Sequence, residues 1–193
     1  MIKKMLQYLH NLWYYINNRR MVIEMGTKYS AMDIAQWFLW YNEMQQREQV
    51  QDNYDIYEGL THLKIQKLLY YAEGVSLAAL DQSLFSDKIY AWPHGPVIKN
   101  VYDELWSYGK SEIPFDDKQW EKIKKMNENS ELFGILQTVY DNYAGYTAWQ
   151  LREKTHVVGG PWQVTVDNKG MQKEISKDMI KEYFEKNIVI TNA

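Results

Sequence analysis

Apolar positions recur with a helical period along most of this chain, most densely over 62–80, HLKIQKLLYYAEGVSLAAL. Ile65, Leu68, Leu69, Ala72, Val75 and Ala79 make one face, and Leu63, Tyr70, Tyr71, Leu77 and Ala78 fill much of the other. Lys64, Gln66, Lys67 and Glu73 are what interrupts the apolar surface. A helix apolar nearly all round belongs inside a domain, so this segment is the expected central helix, capped by Thr61. Gly74 within it costs about 1 kcal/mol relative to alanine, which predicts a second helix crossing closely there.

The remaining pattern predicts further helices and little sheet. Ser30 and Asp33 resemble a capping box that opens a helix over 31–46, whose broad apolar set (Ile34, Ala35, Trp37, Phe38, Trp40, Tyr41, Met44) implies cover on more than one side. The polar stretch 45–59 reads as a frayed end and an exposed loop. Lys88 to Trp92 reads as a short strand that Pro93 confines to an edge or an end. Gly95 and Pro96 read as a cap and a first-turn proline before a helix facing Val97, Ile98, Val101, Tyr102 and Leu105 inward. Helices over 117–127, 131–144 and 148–155 follow, the last opened by Thr147 and Gln150 as a capping box, and Gly159, Gly160 and Pro161 break the chain. A strand over 172–175, a Ser176-capped helix to about 185 and an apolar tail at 188–190 that can pair as an edge strand complete the expectation. At the other end Ile2, Met5, Leu6, Leu9, Leu12, Trp13 and Ile16 share one face of an amphipathic helix flanked by Lys3, Lys4, Arg19 and Arg20. That stripe suits docking on the domain or on a second copy of the chain, and its basic flanks suit an anionic membrane surface or an acidic partner. The organisation expected is an extension at 1–26 and one mainly α-helical domain at 27–193, a helical bundle with a buried central helix and small β elements.

Composition narrows the classes. A chain of 193 residues buries enough surface for one core without staples. Without cysteine it has no disulfide, thiol nucleophile or cysteine-ligated zinc, which fits a reducing cytoplasm. The net charge of −3 does not favour polyanions, so nucleic acid is not an expected partner. No window is long and apolar enough for a membrane span, and the N-terminus lacks the pattern of a secretory signal. The 8 Trp and 16 Tyr serve cores and protein interfaces alike.

Candidate chemistry is sparse. His10, His62, His94 and His156 form no HExxH and no close pair at metal-ligand spacing, so no metal is expected. No glycine-rich phosphate cradle and no GxSxG elbow calls for a cofactor or a serine nucleophile. An enzyme pairing His94 or His156 with a distant carboxylate stays open, because such pairs meet in space. The most constrained short stretch is Trp92-Pro93-His94-Gly95-Pro96, where two prolines around a glycine fix the backbone. It serves either as a rigid elbow with His94 bonded to the backbone or as a fixed loop presented to a partner. Trp162 beside Pro161 reads as a core plug.

LKIQKLLYY (63–71), LF with AWPHGPV (84–97), VYDEL (101–105) and TH with PW (155–162) together resemble the SocA-like, or Panacea, antitoxin domain over roughly 29–184. The resemblance implies a mainly helical domain that neutralises a co-encoded protein toxin by direct binding, without catalysis, often from a prophage. A phage-encoded adaptor that recruits a host protein is the alternative in the same class. The N-terminal extension is too short for the helix-turn-helix domain that some members carry, and Val157-Val158-Gly159-Gly160 is more apolar than that loop usually is. On and beside these motifs, Trp92, His94, Lys99 and His156 are the candidate partner-binding residues.

Overall fold

The computed structural model describes residues 29–52 and 59–188, so the expected amphipathic helix at 1–26 and the tail beyond 188 lie outside the described residues. Helix α1 (Ala31–Asp52) opens with the anticipated capping box: Ser30 N donates to Asp33 Oδ2 at 2.9 Å and Asp33 N to Ser30 Oγ at 3.2 Å. It runs past the expected end at 46, and burial of Ile34, Ala35, Trp37, Phe38, Leu39 and Tyr41 shows cover on more than one side. The Trp37 ring stacks on Tyr41 at 4.8 Å, while its Nε1 donates to Asn127 Oδ1 at 2.7 Å.

Helix α2 (His62–Leu80) is the central element. Around it pack α1, a hairpin of β1 (Ile89–Trp92) and β2 (Gly95–Ile98), and α3 (Lys99–Leu105). After α4 (Trp120–Asn127), the helices α5 (Ser130–Tyr143), α6 (Ala148–Thr155) and α8 (Lys177–Asn187) also contact α2, with α7 (Pro161–Lys169) against β1 and α8. Gly74 is where α8 crosses: a Cβ there would stand 2.4 Å from the Phe184 ring. Thr61 occupies the N-cap position of α2, but its side chain makes no capping bond.

The four polar residues that interrupt the apolar surface of α2 are themselves buried, and the bonds of three of them explain why. Gln66 accepts from Ile98 N at 2.8 Å and donates to Ile98 O at 3.3 Å, while Lys67 Nζ donates to Pro96 O at 2.9 Å. Together they satisfy the outer edge of β2, which would otherwise bury unpaired backbone groups. Glu73 accepts from Leu84 N (2.9 Å) and Ser83 Oγ (2.6 Å) and pairs with Lys177 Nζ at 2.8 Å, tying α8 and the 81–87 turn to the core.

Two expectations need correction. Gly95 and Pro96 do not open a helix: they begin β2, which pairs antiparallel with β1 in the register Trp92↔Gly95, Ala91↔Pro96, Tyr90↔Val97 and Ile89↔Ile98. Pro96 is tolerated because its nitrogen takes no part in that pairing, and the helix starts only at Lys99. Pro161 is more than a break, since it is the first residue of α7, with Gly160 at the N-cap. The segment 172–175 lies along the free edge of β1 as a bridge: Ala91 N donates to Lys173 O, Gln172 N to Ala91 O and Ile175 N to Ile89 O, at 2.7–2.9 Å. Both edges of the two-stranded ribbon are therefore covered.

Candidate functional site

Around the hairpin turn Pro93-His94, polar and aromatic groups from β1, α6 and α7 come together. Gly95, at φ +101°, lets the chain reverse while its α-carbon passes directly over Lys67 Nζ and Thr155 Oγ1. Helix α6 brings the other half. Its Thr147–Gln150 capping box fixes the first turn (Gln150 N to Thr147 Oγ1, 3.2 Å; Thr147 N to Gln150 Oε1, 2.9 Å), which orients Trp149 and Arg152 one and two residues either side of Gln150.

From there a chain of contacts runs along the surface. The Arg152 guanidinium lies over the Trp149 ring at 4.6 Å, and its Nη2 approaches Pro93 O at 3.5 Å. His156, one turn beyond Arg152, donates from Nδ1 to Arg152 O at 2.7 Å and has Nε2 3.4 Å from the same Pro93 O. Its ring packs on Trp162 at 3.7 Å, and Trp162 Nε1 donates to Trp92 O at 2.8 Å. Trp92 in turn meets Tyr102 (4.9 Å), and Tyr102 meets His62 (4.6 Å). Trp162 is thus a half-buried brace between α7 and β1, which refines its reading as a core plug.

Beneath this ladder the charge balance is one-sided. Lys67 is fully buried, and burial, with the neighbouring Arg152 charge second, holds its amine well below the ordinary lysine range. Burial likewise lowers His62, with Lys67 adding to it. His156 is lowered by burial first, then by Arg152 and Lys67, against the opposing pull of its bonds to Arg152 O and Pro93 O. His62 Nε2 and Arg152 Nε are buried without a hydrogen-bond partner. Among the described residues no carboxylate lies within hydrogen-bonding distance of the His94 or His156 ring.

Lys67→Met tests this electrostatic picture. A base whose affinity for protons is depressed by folding contributes stability at high pH that is lost as pH falls. Between pH 8 and about 10, above the histidines and below the ordinary tyrosine range, the wild type should gain unfolding free energy by up to about 1.4 kcal/mol per pH unit. The Met variant should lose that slope in urea denaturation curves. Equal slopes in the two proteins would show that Lys67 titrates normally.

Of the expected contact residues, the fold brings Trp92, His94 and His156 together around Pro93. His94 itself stands exposed at the tip. Lys99 lies at the far end of β2 from that tip, exposed and ion-paired with Asp103. Arg152 was not among the expected residues, although its i, i+4 spacing from His156 on a well-capped helix is a signal for it.

A family model described as antitoxin SocA-like, Panacea domain, matches residues 65–163, just over half of the chain. The chain belongs to this family. The matched Panacea segment runs from the first turn of α2 into α7 and contains the whole ladder except His62. No curated relative and no solved structure matches the chain. Panacea membership carries an antitoxin-like role, with a protein toxin as the general class of partner. No described helix is long and apolar enough to cross a membrane.

Proposed function

We propose that this protein neutralises a co-encoded, prophage-linked toxin in the cytoplasm by binding it directly, without catalysis, through the surface around the Pro93-His94 turn. In this reading residues 27–193 form the binding domain, residues 1–26 are an appendage suited to self-association, and Trp92, His94, Lys99 and His156 contribute to the contact. The observation that carries the reading is the rigidity of the exposed tip: β1 and β2 hold it from below, Lys67 and Gln66 fix the outer strand, and Arg152 and His156 both face Pro93 O. A preorganised loop loses little entropy on binding, and Trp and Arg beside it are residue types that dominate interface energetics. Trp149 is 59% exposed and Val158 is 91% exposed on the same α6 and α6–α7 segment, apolar surface that a partner would cover.

The test is co-expression with the product of the neighbouring reading frame. Neutralisation predicts rescued growth and a stable complex on gel filtration, and a neighbour that neither inhibits growth nor binds would remove the reading. Within such a complex His94→Ala is expected to weaken affinity about tenfold by calorimetry, while the melting temperature moves by no more than about 2 °C. The prolines and the strand pairing hold the tip whatever occupies position 94, so stability has little to lose. Unchanged affinity with a clearly lowered melting temperature would move the contact surface elsewhere.

A further inference from the structure

We infer that the Arg152 guanidinium is the receptor for a single carboxylate presented by the partner protein, gripped by the two-pronged fork beside the exposed Trp149 ring. The inference rests on the reading that the partner is a protein and names the chemistry by which this surface recognises it.

Arg152 is an arginine held in position but poorly matched. Its side chain is 21% exposed, fixed from one side by Trp149 at 4.6 Å. Its Nε is buried without a partner, and Nη2 reaches Pro93 O only at 3.5 Å, the outer limit of a hydrogen bond. Among the described residues its ion pair is with Glu153, the next residue along the helix, whose side chain is 58% exposed. Neighbours in sequence do not face each other on a helix, and an exposed pair of this kind contributes little. The other ionisable groups that feel its charge, Lys67 and His156, are bases, and next to Lys67 lies His62, 8% exposed, which also has an unpartnered nitrogen. The neighbourhood therefore offers hydrogen-bond donors around the Arg152 charge, and among the described residues no acid from another element pairs with it. A carboxylate is the group whose two oxygens fit the planar fork of an arginine. A polyanion fits less well, because Glu153 and the net charge of −3 oppose a run of phosphates, and Trp149 and Val158 offer apolar contact to a peptide.

The full chain contains four arginines, Arg19, Arg20, Arg47 and Arg152, so each side-chain Nε–H signal is assignable by single substitution in a nitrogen-15 spectrum. The protein is titrated at constant ionic strength with acetyl-glutamate N-methylamide, with the glutamine analogue as the neutral isostere, and with inorganic phosphate. The expected result is a saturable shift of the Arg152 Nε–H and His156 ring signals with the glutamate probe, none with the glutamine probe and a weaker response to phosphate. Arg152→Lys, which keeps the charge and the packed stem but lacks the fork, is expected to weaken the glutamate probe about tenfold. No saturable shift at Arg152, an equal response of all four arginines, a preference for phosphate, or full binding by the Lys variant would each overturn the inference. Because the titration uses the protein alone, it succeeds or fails independently of toxin neutralisation. In a confirmed toxin complex, an Arg152→Glu variant that binds normally while His94→Ala does not would reject the carboxylate site and leave the antitoxin reading in place.

Discussion

Leu68→Ala and Leu69→Ala should each lower the free energy of unfolding by about 2–5 kcal/mol, a range set by truncating a fully buried leucine and leaving a cavity. Both side chains have no exposed surface. Adjacent residues on a helix point about 100° apart, so the pair spans the width of the apolar face it shares with Ile65, Ala72 and Val75, and cover narrower than that face would leave one substitution nearly silent. Here α1, α5, α6, α8 and the hairpin enclose α2 from several sides, and neither direction is free. Urea denaturation of the two variants measures both directions at once. A loss below about 1 kcal/mol for either would show that α2 has an unpacked side, and the central position of the helix would have to be abandoned.

Where the sequence was legible, a local signal and the tertiary environment agreed. The span of α2, both capping boxes and the close crossing at Gly74 were readable because apolar period, cap chemistry and a mid-helix glycine all point the same way. The hairpin was half legible. β1 reads as a strand, but Gly95-Pro96-Val97-Ile98 carries two breakers, and what makes it a strand is the side-chain amide of Gln66 and the amine of Lys67 on a helix some thirty residues earlier. Helix α7 was missed for a similar reason: Val164, Thr165 and Val166 give it poor propensity and no apolar stripe. It is held instead by Trp162 on the Trp92 carbonyl and by Thr165 donating to Pro161 O at 2.7 Å. The candidate site shows the same limit. A rigid Trp92–Pro96 stretch could be read from its prolines, yet the arrival of Arg152 and His156 at one carbonyl depends on how α6 docks, which no local pattern encodes.

Gly95→Ala should cost about 2–4 kcal/mol and disturb the candidate surface as well. Two separate effects combine at this position. With φ at +101°, a residue bearing a Cβ is forced into backbone territory that costs about 1–3 kcal/mol to hold. The added carbon would also stand 2.7 Å from Lys67 Nζ and 2.7 Å from Thr155 Oγ1, closer than such atoms can approach. The amine cannot simply swing away, because it is buried and donates to Pro96 O; moving it leaves that carbonyl unpaired, at about 1–3 kcal/mol. Relaxation of the turn recovers part of the total, hence the intermediate figure. Gly109→Ala isolates the backbone contribution, since Gly109 has φ +55° and nothing within 4 Å of its added carbon. Denaturation of the two variants side by side should show Gly95→Ala as the costlier by at least about 1 kcal/mol, with shifted amide signals at Pro93's neighbours Trp92 and His94. Equal losses would mean that Lys67 and Thr155 do not press on the turn, and the support attributed to them beneath the hairpin would fall away.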